Sequence, residues 1–417
     1  LPLVVACAAA FVLTGARIAA DPGTRLLDVA LLASLAAIVF QAIPLPGSVA
    51  TILSPATPSL ASMLHLEPQG PSWSLSIDAR VTRQALMHAA APVFLFWAAR
   101  EVFARGGVRV AARVIAWTGL AVTMVALAQR ATAPGMLLWR WRPADPGSQP
   151  FGPFANPNHF AAWLIMAGAL TAGYLIAHRR SHRSEHSSRR LIVRDWLADG
   201  SGLVLAAALV VMLLGIAATL SRAAIAAAFI ALAATALALR TVVHTGRGLR
   251  LATSVVAVVL GCAVWANRDG LARKFDAATT VSRMEIWRDT APAIGAFWVS
   301  GTGAGTYSQA MLRYQQATPE FHFNQAHSEY VQLAAEGGLL LSLPVLVALG
   351  AGVSLARRLL QRDLHEVFWV RAGAAAGLAA LAVQSIFETP LRAPANALLA
   401  ALLAAVVLHQ RNRHSSV

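Results

Sequence analysis

The residues best suited to chemistry stand together between Asn324 and Gly338, in Asn-Gln-Ala-His-Ser-Glu-Tyr-Val-Gln-Leu-Ala-Ala-Glu-Gly-Gly. This stretch opens a long apolar run. An imidazole changes charge between about pH 5 and 8, which suits His327 to the work of a general base. Helical spacing predicts that His327, Tyr330, Val331 and Ala334 share one face. Glu336 falls inside the apolar run, where a carboxylate is costly unless it is paired. A lone histidine is more often structural than catalytic, so both readings of His327 stay open on the residues alone.

Arginines supply the second kind of chemistry. Arg283 and Arg288 lie in Ser-Arg-Met-Glu-Ile-Trp-Arg-Asp, five residues apart. On a helix they diverge by about 140°, so they need not face one group. A guanidinium fork is a bidentate phosphate ligand. An amphipathic surface helix with ion pairs to Glu285 or Asp289 is the other reading. Arg222, in Thr-Leu-Ser-Arg-Ala, interrupts two apolar runs. It either snorkels into headgroups at an outward turn or contacts an anion. Gly301-Thr302-Gly303-Ala304-Gly305 is a weak phosphate-loop pattern and reads more simply as a tight turn. Asn156, Asn158 and His159, next to Pro153 and Pro157, read as a kinked entry and cap of a helix, or as polar ligands.

The elements that must position these groups are membrane helices. Of 417 residues, 57% are hydrophobic and 13% charged, and the mean hydropathy is +0.59. Soluble domains carry roughly 25% charge. The composition excludes an ordinary soluble enzyme, a disordered chain and a disulfide scaffold. Apolar runs long enough to cross a bilayer fall at about 1–20, 26–43, 83–100, 109–129, 159–177, 201–220, 223–240, 251–266, 329–355, 367–387 and 394–409. These predict an all-α polytopic membrane protein with about 11–12 transmembrane helices. The expected organisation is N-terminal transmembrane helices over 1–266, a large outward loop insert over 267–328, and C-terminal transmembrane helices over 329–417.

Charge sets the orientation. The net charge is +15, and Lys274 is the only lysine. Of the 34 basic residues, 21 gather in one set of short loops, which the positive-inside rule makes cytoplasmic. The opposite side then holds about 44–82, 130–158 and 267–328. The first of these is expected to lie along the interface. The last is long enough to need its own fold. The basic charge is spread over loops and forms no nucleic-acid face, so no nucleic-acid partner is expected. The basic tract 178–194 reads as a solvated loop. Cys7 and Cys262 lie inside apolar runs, with no metal or redox spacing. No Walker pattern, dinucleotide fingerprint or outward Asp-x-Asp pair is present, so neither nucleotide nor metal is expected.

Taken in order, the motifs resemble the O-antigen ligase and polymerase family. The matching pieces are Gly152-Pro153-Phe154-Ala155-Asn156-Pro157-Asn158-His159-Phe160-Ala161, Ser221-Arg222, Arg283 to Trp287 with Gly301 to Gly305, and His327 to Leu333 followed by Glu336-Gly337. They span about residues 150–340. Ser328 departs from the Asn that commonly follows the histidine, and the span count is about one short of the usual dozen. The resemblance implies a glycosyltransferase-C-like fold in the bacterial inner membrane, with its active site facing the periplasm. It implies transfer of a glycan from undecaprenyl pyrophosphate to an acceptor hydroxyl, on lipid A–core for a ligase or on another glycan for a polymerase. No cofactor is implied, and the remaining partner is the lipid bilayer.

Physics and resemblance converge on His327 as base, with Arg222 and Arg283 on the pyrophosphate. Arg288, Asn158, His159, Glu336 and Tyr330 are the expected substrate contacts. A ligase-like enzyme is the first reading and a polymerase of the same family the second. A small-solute or anion transporter is the alternative of another class. The transporter is disfavoured by the large outward insert and by the lack of a matching pair of interrupted spans.

Overall fold

A computed structural model describes residues 1–64, 72–143, 148–181, 199–221, 224–229, 283–317, 322–362 and 367–410. Almost all regular structure there is helical. In chain order the helices are α1 (Pro2–Thr14), α2 (Arg25–Ala42), α3 (Gly47–Leu53), α4 (Thr57–Met63), α5 (Ala79–Arg105), α6 (Val108–Thr132), α7 (Pro157–Ser181), α8 (Gly200–Ala218), α9 (Arg283–Ala296), α10 (Tyr307–Tyr314), α11 (Glu329–Arg362), α12 (Val367–Gln384) and α13 (Pro394–Leu408). One two-residue antiparallel ladder pairs β1 (Leu45–Pro46) with β2 (Ser72–Trp73).

Among the described residues, seven helices are long and apolar enough to cross a membrane: α2, α5, α6, α7, α8, α11 and α12. Two further predicted runs form shorter apolar helices, α1 and α13. Local chemistry explains the shortening of α1: Gly15 adopts φ 64° and returns its N–H to the Val12 carbonyl, ending the helix. α13 starts at Pro394, where the predicted run starts, with the proline in its first turn. The predicted run 223–240 is helical over 224–229, and its remainder and the run 251–266 lie outside the described residues. The segment 44–82, expected along the interface, folds into β1, β2, α3 and α4 before α5 begins.

The chain forms two compact units. The first comprises 1–101, 279–355 and 385–394. One internal ion pair joins α2 to α5. Asp28 is fully buried, and both its oxygens receive Arg100 at 2.8 Å. Trp97 Nε1, Thr24 Oγ1 and the Ala19 N–H complete its shell at 2.9, 3.2 and 3.1 Å. A buried carboxylate is tolerable when satisfied this fully.

The second unit comprises 102–278, 356–384 and 395–417. Its centre is α7 packed on α12. A Cβ on Gly173 would fall 2.3 Å from the Trp369 carbonyl oxygen and 2.9 Å from the Gly373 Cα. Gly377, one turn beyond Gly373, faces the Met166 backbone at 3.1 Å. Small residues four apart let backbones meet, as is common between membrane helices. Buried Arg371 of α12 donates to the His409 carbonyl at 3.0 Å.

Candidate active site

The first unit builds its site around a break in α11. Gly338 has φ 53° and ψ −156°, outside helical space. A break leaves backbone groups without partners, which is tolerated at membrane depth only where protein supplies them. Here the chain 298–303 does so. The N–H groups of Leu339 and Leu340 donate to the Trp298 and Val299 carbonyls at 2.8 and 2.9 Å. In return, Thr302 and Gly303 donate to the Ala335 and Glu336 carbonyls at 2.9 and 3.1 Å. Gly301, at φ 68°, lies so close that a Cβ would meet the Glu336 carbonyl oxygen at 2.1 Å. Gln41 of α2 ties both sides, donating to the Ser300 and Glu336 carbonyls at 2.6 and 2.9 Å and accepting from the Ala304 N–H at 3.1 Å.

This docking settles what the glycine-rich segment does. Its remaining N–H groups are also spent on protein: Gly301 on the Phe297 carbonyl, Gly305 on Glu336 Oε2, Thr306 on the Gly303 carbonyl and Tyr307 on Glu336 Oε1. None from Gly301 to Tyr307 is left for a phosphate. The segment is a socket for the broken helix.

Glu336 is the pin of that socket. Its carboxylate is buried and accepts from Gln332 Nε2 at 2.9 Å, the Gly305 and Tyr307 N–H groups at 2.9 and 3.3 Å, and Arg392 at 2.5 Å. Four donors occupy the acceptor capacity of a carboxylate. Glu336, expected among the substrate contacts, is thus fully engaged within the protein. Burial opposes the charge on Arg392, but Glu336 and Glu329 outweigh it and raise its pKa. Beside the socket, burial pushes the Tyr307 phenol up to about 12, against the Thr290 hydroxyl bond and with help from the Glu336 and Asp289 charges.

His327 is placed by the chain just before α11. The Ala326 carbonyl accepts from Trp287 Nε1 at 2.9 Å, and the Ala326 N–H donates to Gln332 Oε1 at 3.1 Å. Ser328 then caps α11, its carbonyl accepting from Gln332 N–H at 3.0 Å. Between these anchors His327 adopts φ 48°. Histidine is among the few non-glycine residues enriched in that region. This left-handed turn puts His327 outside the helix, and the predicted common face with Tyr330, Val331 and Ala334 does not form. Val331 packs on the cluster of Ile286, Tyr307 and Met311, while Tyr330 is exposed.

The strap 385–392 closes against this segment. Ser385 O accepts from the Glu329 N–H at 2.9 Å, and the Leu391 N–H donates to Glu329 Oε1 at 2.7 Å. Thr389 Oγ1 bonds Gln325 Oε1. These ties carry Glu388 into the centre. Its side chain is 1% exposed, and it stands between two groups that are each more than a third exposed. Oε1 pairs with Arg283 Nη2, and Oε2 lies 3.5 Å from His327 Nδ1. Trp287 and Phe387 stack beside them, centroids 6.4 Å apart.

The structure therefore brings Arg283 and His327 to one carboxylate. Arg288 is exposed, with no polar partner among the described residues. Asp289 pairs with neither arginine. It accepts from the Gln316 and Ala317 N–H groups, each at 2.7 Å. The side chain of Arg222 lies outside the described residues. Asn158 and His159 belong to the second unit, in the first turn of α7. There Asn156 caps the helix, its Oδ1 accepting from the Asn158 N–H at 2.8 Å. The carbonyls of Asn158 and His159 accept from Gln384 and Asn396 at 2.9 and 3.0 Å.

Sequence reasoning missed Glu388, Arg392 and Gln41. The available signal was polarity at the wrong place: Gln41 near the end of an apolar run, and Glu388 just past another in a chain with 19 acidic residues.

Fold and site together define an all-helical, multi-pass membrane protein with a histidine–carboxylate–arginine cluster at the end of a broken helix. Residues 207–346 match the O-antigen ligase family model, and the chain carries a domain of that family. Arg283, His327 and the Gly301 socket lie within the match, and Glu388 lies outside it. Comparison with curated proteins returns no match.

Proposed function

We propose that this protein is a membrane glycan transferase that moves a saccharide from undecaprenyl pyrophosphate to an acceptor hydroxyl. The observation that carries the reading is Glu388 between Arg283 and His327, inside a chain with an O-antigen ligase domain. A carboxylate at Nδ1 holds an imidazole in the tautomer whose Nε2 accepts a proton. His327 Nε2 removes the acceptor hydroxyl proton as that oxygen attacks the anomeric carbon. The bond from that carbon to the pyrophosphate oxygen breaks with inversion. Glu388 stabilises the imidazolium that forms. Arg283 offers its remaining N–H donors to the leaving pyrophosphate, together with Arg222. The acceptor for a ligase is lipid A–core, and for a polymerase another repeat unit.

Purified protein in lipid, given an undecaprenyl-pyrophosphate glycan and each acceptor, tests this by release of undecaprenyl pyrophosphate. Wild type releases it and His327→Ala does not, while both stay folded. The acceptor that gains mass separates ligase from polymerase. Wild-type release by His327→Ala removes the histidine from the mechanism. Arg222→Lys is impaired, because a point charge does not replace the guanidinium fork.

A further inference from the structure

The three groups of the cluster come from three separate segments: Arg283 from the first turn of α9, His327 from the turn before α11, and Glu388 from the strap 385–392. Neither 322–328 nor 385–389 is helical, so contacts from outside must hold both in place. The geometry has little slack. The 3.5 Å between His327 Nδ1 and Glu388 Oε2 is at the outer limit of a hydrogen bond, so a few tenths of an ångström decide whether the carboxylate holds the ring.

One side chain meets all three segments. Trp287 stands four residues after Arg283 on α9, on the same face. Its Nε1 donates at 2.9 Å to the carbonyl of Ala326, the residue before His327. Its ring stacks on Phe387, the residue before Glu388, with 22° between the planes. An indole is suited to this work, since it joins a rigid apolar body to a single polar handle.

The helix that carries Trp287 is itself held by other residues. Thr290 Oγ1 bonds the Tyr307 hydroxyl at 2.7 Å, and Asp289 accepts from the Gln316 and Ala317 N–H groups. Ile286 is buried with Tyr307 and Met311. These contacts make α9 a fixed platform for Arg283, and Trp287 passes its position on to the two irregular segments.

We infer that Trp287 is a positioning residue, a clasp that holds His327 and Glu388 in register with Arg283. It acts through Ala326 and Phe387 and not on the reacting atoms. The kinetic arm of its test rests on the transferase reading, and the spectroscopic arm does not. The full chain, labelled with nitrogen-15 in its histidine rings, is measured by NMR in detergent micelles at pH 9, where an imidazole is ordinarily neutral. His327 is assigned by the signal lost in His327→Ala. Wild type carries the ring proton on Nδ1, facing Glu388. Glu388→Gln moves it to Nε2, because the amide then faces Nδ1 as a donor. Trp287→Phe keeps a ring against Phe387 but removes the N–H at Ala326, and it too moves the proton towards Nε2. Trp117→Phe, at an exposed indole of α6, leaves it on Nδ1. In the release assay Trp287→Phe lowers kcat roughly five-fold, the loss of one hydrogen bond, with donor KM little changed. Added to Glu388→Gln it costs less than about two-fold more, because the contact it positions is already gone. A residue that only stabilised the fold would give one factor in both backgrounds. Should Trp287→Phe not fold, Phe387→Leu removes the stacked ring alone and gives the same change of tautomer. A His327 tautomer unchanged in the folded variants, or equal losses in the two backgrounds, overturns the inference. A tautomer change in a protein that releases no undecaprenyl pyrophosphate keeps the clasp and removes the transferase reading.

Discussion

Glu388→Gln isolates the carboxylate that joins base to arginine. The amide keeps the shape, and its oxygen still accepts from Arg283. What disappears is the negative charge facing His327 Nδ1 at 3.5 Å. Two unit charges at that distance interact by about 5 kcal/mol at an effective dielectric near 20. His327 is 38% exposed, so water screens the pair. About half of the interaction survives, or roughly 2–3 kcal/mol. That energy stabilises the imidazolium formed as the acceptor is deprotonated, so its loss appears in the rate. The expected fall in kcat is roughly a hundred-fold. The assay is the initial rate of undecaprenyl pyrophosphate release over a range of donor and acceptor concentrations. Donor KM should change little, because the Arg283 contact remains. A kcat within about three-fold of wild type would refute electrostatic support of the base. A loss confined to donor KM would reassign Glu388 to holding Arg283 alone.

Three further outcomes follow from other parts of the structure. Glu336→Gln removes the charge that Arg392 and two backbone N–H groups meet, and should cost about 2–4 kcal/mol, seen as a lowered thermal midpoint in detergent. An unchanged midpoint would mean that the socket holds without its pin. Gly173→Val drives a Cβ into the Trp369 carbonyl and should abolish monodisperse protein after extraction, whereas Gly168→Ala, with only Leu209 Cδ1 at 3.7 Å, should behave as wild type. Tyr307 gives an alkaline signature. Its phenol titrates near 12 when folded and near 10 when unfolded, so its contribution is complete below pH 10 and lost as pH rises towards 12. The loss is about 2–3 kcal/mol, and unfolding measured from pH 9 to 12 should lack that slope in Tyr307→Phe.

Much of the membrane architecture was legible because hydropathy over about 20 residues is a local signal. The runs at 83–100 and 159–177 became α5 and α7 with only their ends extended. His327 and Arg283 were also legible, since polar residues at the mouth of an apolar run are conspicuous. Their shared carboxylate was not. Glu388 is 61 residues from His327 and 105 from Arg283, and no periodicity links positions joined only by the tertiary strap. The helical-face argument failed at His327 because it assumed that the helix begins earlier than Ser328 allows. The glycine pattern showed that backbone would come close to something. It carried no information on whether that partner was a phosphate or the carbonyls of a broken helix.

The break at Gly338 has a consequence for how the protein meets its bilayer. Beyond it, Leu339 to Arg362 alone is long enough to cross the hydrocarbon core, which takes about 20 residues. Membrane helices adjust to bilayers of different thickness chiefly by tilting. In a continuous helix that tilt would swing the N-terminal turns and His327 with it. Here the turns before the break are bonded to the Gly301 segment and Gln41, and Leu339 and Leu340 just beyond it are bonded to Trp298 and Val299. A change of tilt in the span beyond is resisted by bonds on both sides of Gly338, so the socket holds the turns that follow His327 in bilayers of different thickness.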